Sequence, residues 1–398
     1  MAYTNVELLL IVNFLHVISY AIIVPILPYY FRTRDATYSM IGILCACVFI
    51  GRSVNKELLA LLPNGKKYTI ATCLYLTFVY YFIMVFYDDL VTSFIVKFLF
   101  ALTIDIVYTS KEFVTRSEPE DHHYHICNLI ELTKYCALIV GAVLGSYIYS
   151  HSSNSSTNFI ISSSLALVCI LILQRVDSDD SAMEKRPSEL FSLSELCKRR
   201  LRQLKRVEIV DKWYLFMSKS IYIFLCNIYF ARICYILIDQ YNVSYMQLGY
   251  TAAIENMVIC ACSIIVPFVT ERYDDKRELL LHSMFVSGIL LAGFYSAPSY
   301  GCSIVAFMCL TFFCTMINGM LHDDVLNFRY EDELEEVSET VTVLINLFAP
   351  IFAGIINDLL GENILDLVAA ITLCGYMYVI IRSLFELETA NETEEENN

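Results

Sequence analysis

Charged side chains inside apolar stretches are the residues of this chain whose chemistry needs explaining. Arg52, Lys56 and Glu57 fall in one such stretch, Lys97 and Asp105 in another, and Glu131 with Lys134 in a third. Lys219 and Arg232 share a fourth, and Glu255 lies in a fifth. A charge at bilayer depth is expensive and is kept mainly where it pairs with another or meets water. His16 belongs with them. Together with Asn13 and Tyr20 it recurs at helical spacing, a polar stripe in the uncharged run over 9–31. The stripe is expected either to face an aqueous cavity or to hydrogen-bond between helices. With an ordinary pKa of about 6.5, a histidine there would titrate in an acidic compartment.

Plainer readings remove part of this set. Lys56, Glu57 and Lys219 sit near the ends of their runs, where long side chains snorkel to the interface. Glu131 and Lys134 are three apart and can neutralise one another. The residues left as substrate- or proton-binding candidates are His16, Arg52, Lys97, Asp105, Glu131, Arg232 and Glu255. Arg52, Lys97 and Arg232 suit an organic anion. A carboxylate such as Asp105, Glu131 or Glu255 suits a coupling proton where burial favours its neutral form.

The remaining chemistry-bearing types point away from catalysis and metal. No H-E-x-x-H, G-x-S-x-G or P-loop occurs, so an enzyme is not expected, nor a cofactor beyond a coupled proton. His122 and His123 with Asp121 read as a solvated turn. The pairs Cys45/Cys47 and Cys260/Cys262 would point their sulfurs apart on a helix, which is packing and not a zinc site.

The elements that position these groups follow from composition. With 57% apolar and only 17% charged residues in 398, the chain is read as an all-α polytopic membrane protein. Apolar runs at 6–30, 39–62, 68–87, 90–110, 125–149 and 158–174 precede a polar break, and runs at 213–238, 246–269, 279–298, 301–321, 338–358 and 364–383 follow it. The expected organisation is a six-helix bundle over 1–174, a cytosolic linker over 175–212 with a basic amphipathic helix, a second six-helix bundle over 213–384 and a disordered acidic tail over 385–398. Pro25 and Pro28 should break the first helix, which requires something to satisfy the freed carbonyls. The short start before it has no basic region and no small-residue cleavage site, so the first span is expected to stay as an anchor. Much of the net charge of −15 lies in the acidic patches 331–339 and 386–398, and nothing favours a nucleic-acid partner.

Lys66, Lys67, Lys111, Arg116, the linker, Arg272, Lys276, Arg277, Arg329 and Arg382 all fall on one side of a twelve-span arrangement, against only Arg32 and Arg34 on the other. Both termini are therefore expected in the cytosol. Asn154-Ser-Ser and Asn242-Val-Ser fall in outer loops, where glycosylation is geometrically allowed.

Several degraded motifs carry a resemblance. IIVPILPYY (22–30) resembles the first span of the drug:proton antiporter branch of the major facilitator superfamily, which includes vesicular amine transporters. LLALLPNGKKYTI (58–70) is similar to that superfamily's G-x-L-x-D-R-x-G-R-R loop, with Asn64 for the aspartate and Gly65, Lys66 and Lys67 at its end. VPFVTERYDDKRELL (266–280) is the second-half copy, keeping Arg272, Lys276 and Arg277. Lys97 stands where the family's arginine opens R-x-x-x-G-x-G, with Ala101 and Thr103 for its glycines. ALIVGAVLGS (137–146) matches the antiporter motif at Gly141 and Gly145, starting from Ala137, with Ala142 for its proline.

The resemblance implies two pseudo-symmetric six-helix bundles working as a rocker-switch transporter of a small organic solute, with proton-coupled antiport of an organic cation or drug-like molecule as the leading form. It implies a monomer in a plasma or vesicular membrane, with the basic loops as gates. The buried charges of the amine transporters in spans one, two, ten and eleven fall here on His16, Val48, His322 and Asn346, so that charge set is not kept, and His322 and Asn346 join the substrate- or proton-binding candidates. Two alternatives stand beside the leading form: an organic-anion facilitator, and a transporter-shaped receptor or scaffold that no longer moves solute.

Overall fold

The structure, a computed structural model, describes residues 4–47, 66–87, 89–101, 106–117, 120–176, 220, 222–224, 233–270, 272, 276–326, 331–360 and 375. Among these there is no strand. The helices are α1 (Asn5–Ala21), α2 (Leu27–Arg32), α3 (Tyr38–Cys47), α4 (Lys66–Phe86), α5 (Leu90–Ala101), α6 (Ile106–Ser117) and α7 (Glu120–Ser152). Then come α8 (Ser155–Leu173), α9 (Ile233–Tyr241), α10 (Tyr245–Thr270), α11 (Lys276–Tyr295), α12 (Tyr300–Leu326) and α13 (Glu331–Leu360). Seven helices among the described residues are long and apolar enough to cross a membrane, and two shorter apolar ones match the expected second and ninth spans. The expected fourth span is α5 and α6, either side of 102–105. The twelfth span, most of the seventh, the linker beyond 176 and the acidic tail lie outside the described residues.

Local chemistry sets the ends. Thr4 caps α1 through a reciprocal box, its hydroxyl accepting from Glu7 N while the Glu7 carboxylate accepts from Thr4 N at 2.8 Å. Pro25 has no N–H to continue that helix, and the chain passes through a 3-10 turn, Val24–Ile26, into α2. Ser153, at φ 52°, turns α7 into α8, whose first turn is capped by Asn154 accepting from Ser156 N at 2.9 Å. Ser244 and Gln247 form a similar box at the start of α10, after Asn242 at φ 49°.

Two compact units emerge. One comprises the described residues of Met1–Ser192 and Cys234–Cys260, the other those of Leu193–Ile233 and Ala261–Asn398. In the first, α1 packs against α7 and α8, and α4 against α8, α6 and α5. Its core has two parts: one around Leu9, Ile70, Leu74, Ile106 and Phe113, the other around Ile22, Phe31, Tyr81, Phe100 and Phe159. In the second, α11 packs along α12, with Phe294 and Phe307 between them. There Tyr222 donates to Cys314 O at 2.7 Å, and Phe224 packs with Ala349 and Ala353 of α13. Large apolar side chains such as Val91, Ile95, Phe268 and Leu359 stay exposed, as on surfaces that face lipid.

Candidate functional site

The polar stripe of α1 is divided by its surroundings. Asn13 and His16 are buried, while Tyr20 is exposed. Asn13 Oδ1 accepts from the Ser110 hydroxyl of α6 at 3.3 Å, and Ser19 donates to His16 O at 2.6 Å. Asn13 Nδ2, His16 Nδ1 and the Tyr81 hydroxyl of α4 are buried with no hydrogen-bond partner among the described residues.

Beyond His16, α1 breaks where α7 crosses it. Gly141 faces Ile18 and Ala21, and a Cβ there would stand 2.5 Å from Ala21 Cβ. Gly145 faces Ile22, and a Cβ there would stand 2.6 Å from both Ile22 C and Cα and closer still to its carbonyl oxygen. Ala137, one turn earlier, is fully buried. Small residues one turn apart thus let the two backbones touch. The carbonyls freed by the break find donors on α8. Ser162 donates to Ser19 O at 2.7 Å, and Asn158 Nδ2 to Ile22 O at 3.4 Å and Gly145 O at 2.8 Å.

Three ionisable groups differ in their company. Glu131 of α7 is held by Lys111 of α6 at 2.5 Å and by Lys134 at 2.9 Å, each side chain about a third exposed. Lys97 of α5 has no ion pair among the described residues. Its ammonium lies 5.5 Å from the centre of the Phe31 ring, with Cys45 and Cys47 of α3 in its vicinity. A cation–π contact gives about 0.5–2 kcal/mol, short of the roughly 2.5–3.5 kcal/mol that a lysine costs at the centre of a spanning helix. Glu255 of α10 is half-buried and also has no ion pair among the described residues. No cluster of three or more His, Cys, Asp or Glu among these residues could hold a metal ion.

At the far end of α1 the first unit closes over itself. The Tyr29 hydroxyl of α2 donates to Val243 O, and the Tyr29 and Tyr245 rings lie 4.0 Å apart. Tyr149 of α7 meets Tyr245 at 4.5 Å, and Tyr38 of α3 donates to Asp239 of α9 at 2.8 Å. Gly249 of α10 leaves room for Ser146, and a Cβ there would stand 2.5 Å from Ser146 Cβ and 2.9 Å from Ala142 O. This end was not legible in the sequence, where single tyrosines and one glycine look like ordinary span residues.

Among the gating-loop residues, Lys67 donates from Nζ to Val176 O and, at 3.5 Å, to Gln174 O, capping the exit of α8. Lys66 opens α4, Lys276 and Arg277 open α11, and Arg272 is exposed after α10. His322 lies on α12, and Asn346, half-buried, on α13. Arg52, Asn64, Gly65, Asp105 and Arg232 lie outside the described residues.

The family model described as "Major Facilitator Superfamily" matches residues 9–331. The chain belongs to the major facilitator superfamily, a family of transporters and not of enzymes, and is thus an integral, multi-pass membrane protein. No curated protein matches it in sequence. Solved structures share the fold at low identity. The nucleoside transporter NupG (D323A mutant) is 14% identical with a TM-score of 0.71, over 95% of this chain and 98% of that one. A bacterial homolog of the human lysosomal transporter Spinster, inward-facing and unoccupied, is 10% identical with a TM-score of 0.68, over 97% and 94%. A D-xylose–proton symporter is 12% identical with a TM-score of 0.66, over 94% and 96%.

Proposed function

We propose that this chain carries a small organic solute across a membrane by alternating access between its two six-helix halves, 1–174 and 213–384, and couples that movement to protons at Glu255. The observation that carries the reading is the carboxyl of Glu255. It lies at mid-helix on α10, the element whose first turns pack on Tyr29, Tyr149 and Ser146 of the first half, and it has no ion pair among the described residues. A carboxyl group so placed can bind a proton from one side of the membrane and release it to the other as the carrier changes orientation. The nucleoside and D-xylose named for the similar structures are small polar solutes, the size class proposed here. Both termini are assigned to the cytosol on the distribution of lysine and arginine.

The test uses the purified full chain in proteoliposomes with a trapped pH dye. A panel of organic solutes added outside should move protons, and an imposed pH gradient should drive solute uptake. Glu255→Gln should abolish the proton movement while solute-for-solute exchange continues. Unchanged proton movement in the variant removes Glu255 from the role. Absence of flux for every solute in the wild type would leave the receptor or scaffold reading.

A further inference from the structure

We infer that the solute is an organic anion, held through a carboxylate or phosphate group by Lys97. This rests on the transporter reading above and names the class of its substrate. The face of α5 is the first argument. Ser93, Val96 and Phe100 are buried, and Lys97 falls on that same stripe, whereas Val91 and Ile95 on the opposite side are exposed. Lys97 therefore points into the bundle and not toward lipid, which excludes a lipid headgroup as the natural occupant.

The second argument is what surrounds the ammonium. No described carboxylate pairs with it. Glu131 is already shared by Lys111 and Lys134. Phe31 offers a ring at 5.5 Å, which only partly compensates the charge, and the neighbouring Cys45 and Cys47 are uncharged as thiols. An ammonium directed into the bundle, with no counter-charge among the described residues, fits a ligand with an anionic end. An organic cation would meet repulsion there.

The thiols beside Lys97 report on this without any flux measurement. Full-length protein in neutral phosphatidylcholine vesicles is treated with the anionic reagent sulfonatoethyl methanethiosulfonate or its trimethylammonium counterpart. Labelling of Cys45 and Cys47 is then read peptide by peptide by mass spectrometry. The anionic reagent should react about tenfold faster than the cationic one once each rate is normalised to a free thiol. Lys97→Gln should remove that preference and Lys97→Arg should keep it. Equal rates in the wild type, a preference that survives Lys97→Gln, or thiols that neither reagent reaches would each overturn the inference. If Lys97→Gln fails to fold, protection by p-aminohippurate decides on the wild type. Slower labelling with it, and not with tetraethylammonium, supports the site, and no difference overturns it. Because labelling does not need transport, failure here leaves proton-driven flux standing, and loss of flux alone leaves the anion site standing.

Discussion

Adding one methyl group at Gly145 should unfold the crossing of α1 and α7. The Cβ of Gly145→Ala would stand 2.6 Å from Ile22 C and Cα, and nearer still to the Ile22 carbonyl oxygen. Ordinary carbon contacts lie at about 3.5–4.0 Å, so the helices must part by roughly 1 Å. The obstacle is backbone and cannot swing aside as a side-chain tip would. The same carbonyl is bonded to Asn158, so parting the helices also strains that bond. Overpacking costs typically 1–3 kcal/mol, and a backbone clash belongs at the upper end, about 3 kcal/mol. At about 2–4 °C per kcal/mol for a domain of this size, the melting temperature in detergent should fall by about 6–12 °C. Gly293→Ala is the control. A Cβ there meets nothing within 4 Å, and the substitution should leave melting unchanged or raise it slightly through helix propensity. Both variants would be followed by dye-based thermal melting of the monodisperse protein. If Gly145→Ala melts within about 2 °C of Gly293→Ala, the close approach described here does not exist in solution.

Two further outcomes use the same melting assay. Asn158→Leu and Ser162→Ala should each cost about 1–3 kcal/mol, because each strands one carbonyl at the broken end of α1, Ile22 O or Ser19 O; a variant that melts like the wild type would argue against its bond. Asp89, at the head of α5, is held below the usual carboxylate range by its hydrogen bonds from the Thr92 side chain and backbone N–H. Its contribution is therefore present above about pH 3.9 and lost as pH falls through its lower folded value. Asp89→Asn should lose less stability than the wild type between pH 7 and pH 2.5, and parallel curves would contradict the cap.

What the sequence made legible was whatever depends on neighbours along the chain. The runs of apolar residues mark the helices, Pro25 and Pro28 mark the break, and Glu131 with Lys134 pair as their spacing of three requires. What needed the fold was every partner far away in sequence. Lys111 reaches Glu131 across a helix turn-round, and Asn158 and Ser162 reach back well over a hundred residues to the broken end of α1. Hydropathy also cannot see a helix once it leaves the apolar layer. The expected fourth span ends at 110, while α6 runs to Ser117 through Lys111. Tyr149 and Tyr245 carried no signal, and Tyr29 only as the tail of the 22–30 motif, because tyrosine is frequent throughout the chain and only their convergence distinguishes them.

The bond from Lys67 to the last carbonyls of α8 bears on how force passes along the chain. Val176, the last described residue after α8, is thereby moored to the root of α4. A tug applied at Val176 is thus felt by two helices together, as a line made fast to a bollard loads the whole quay.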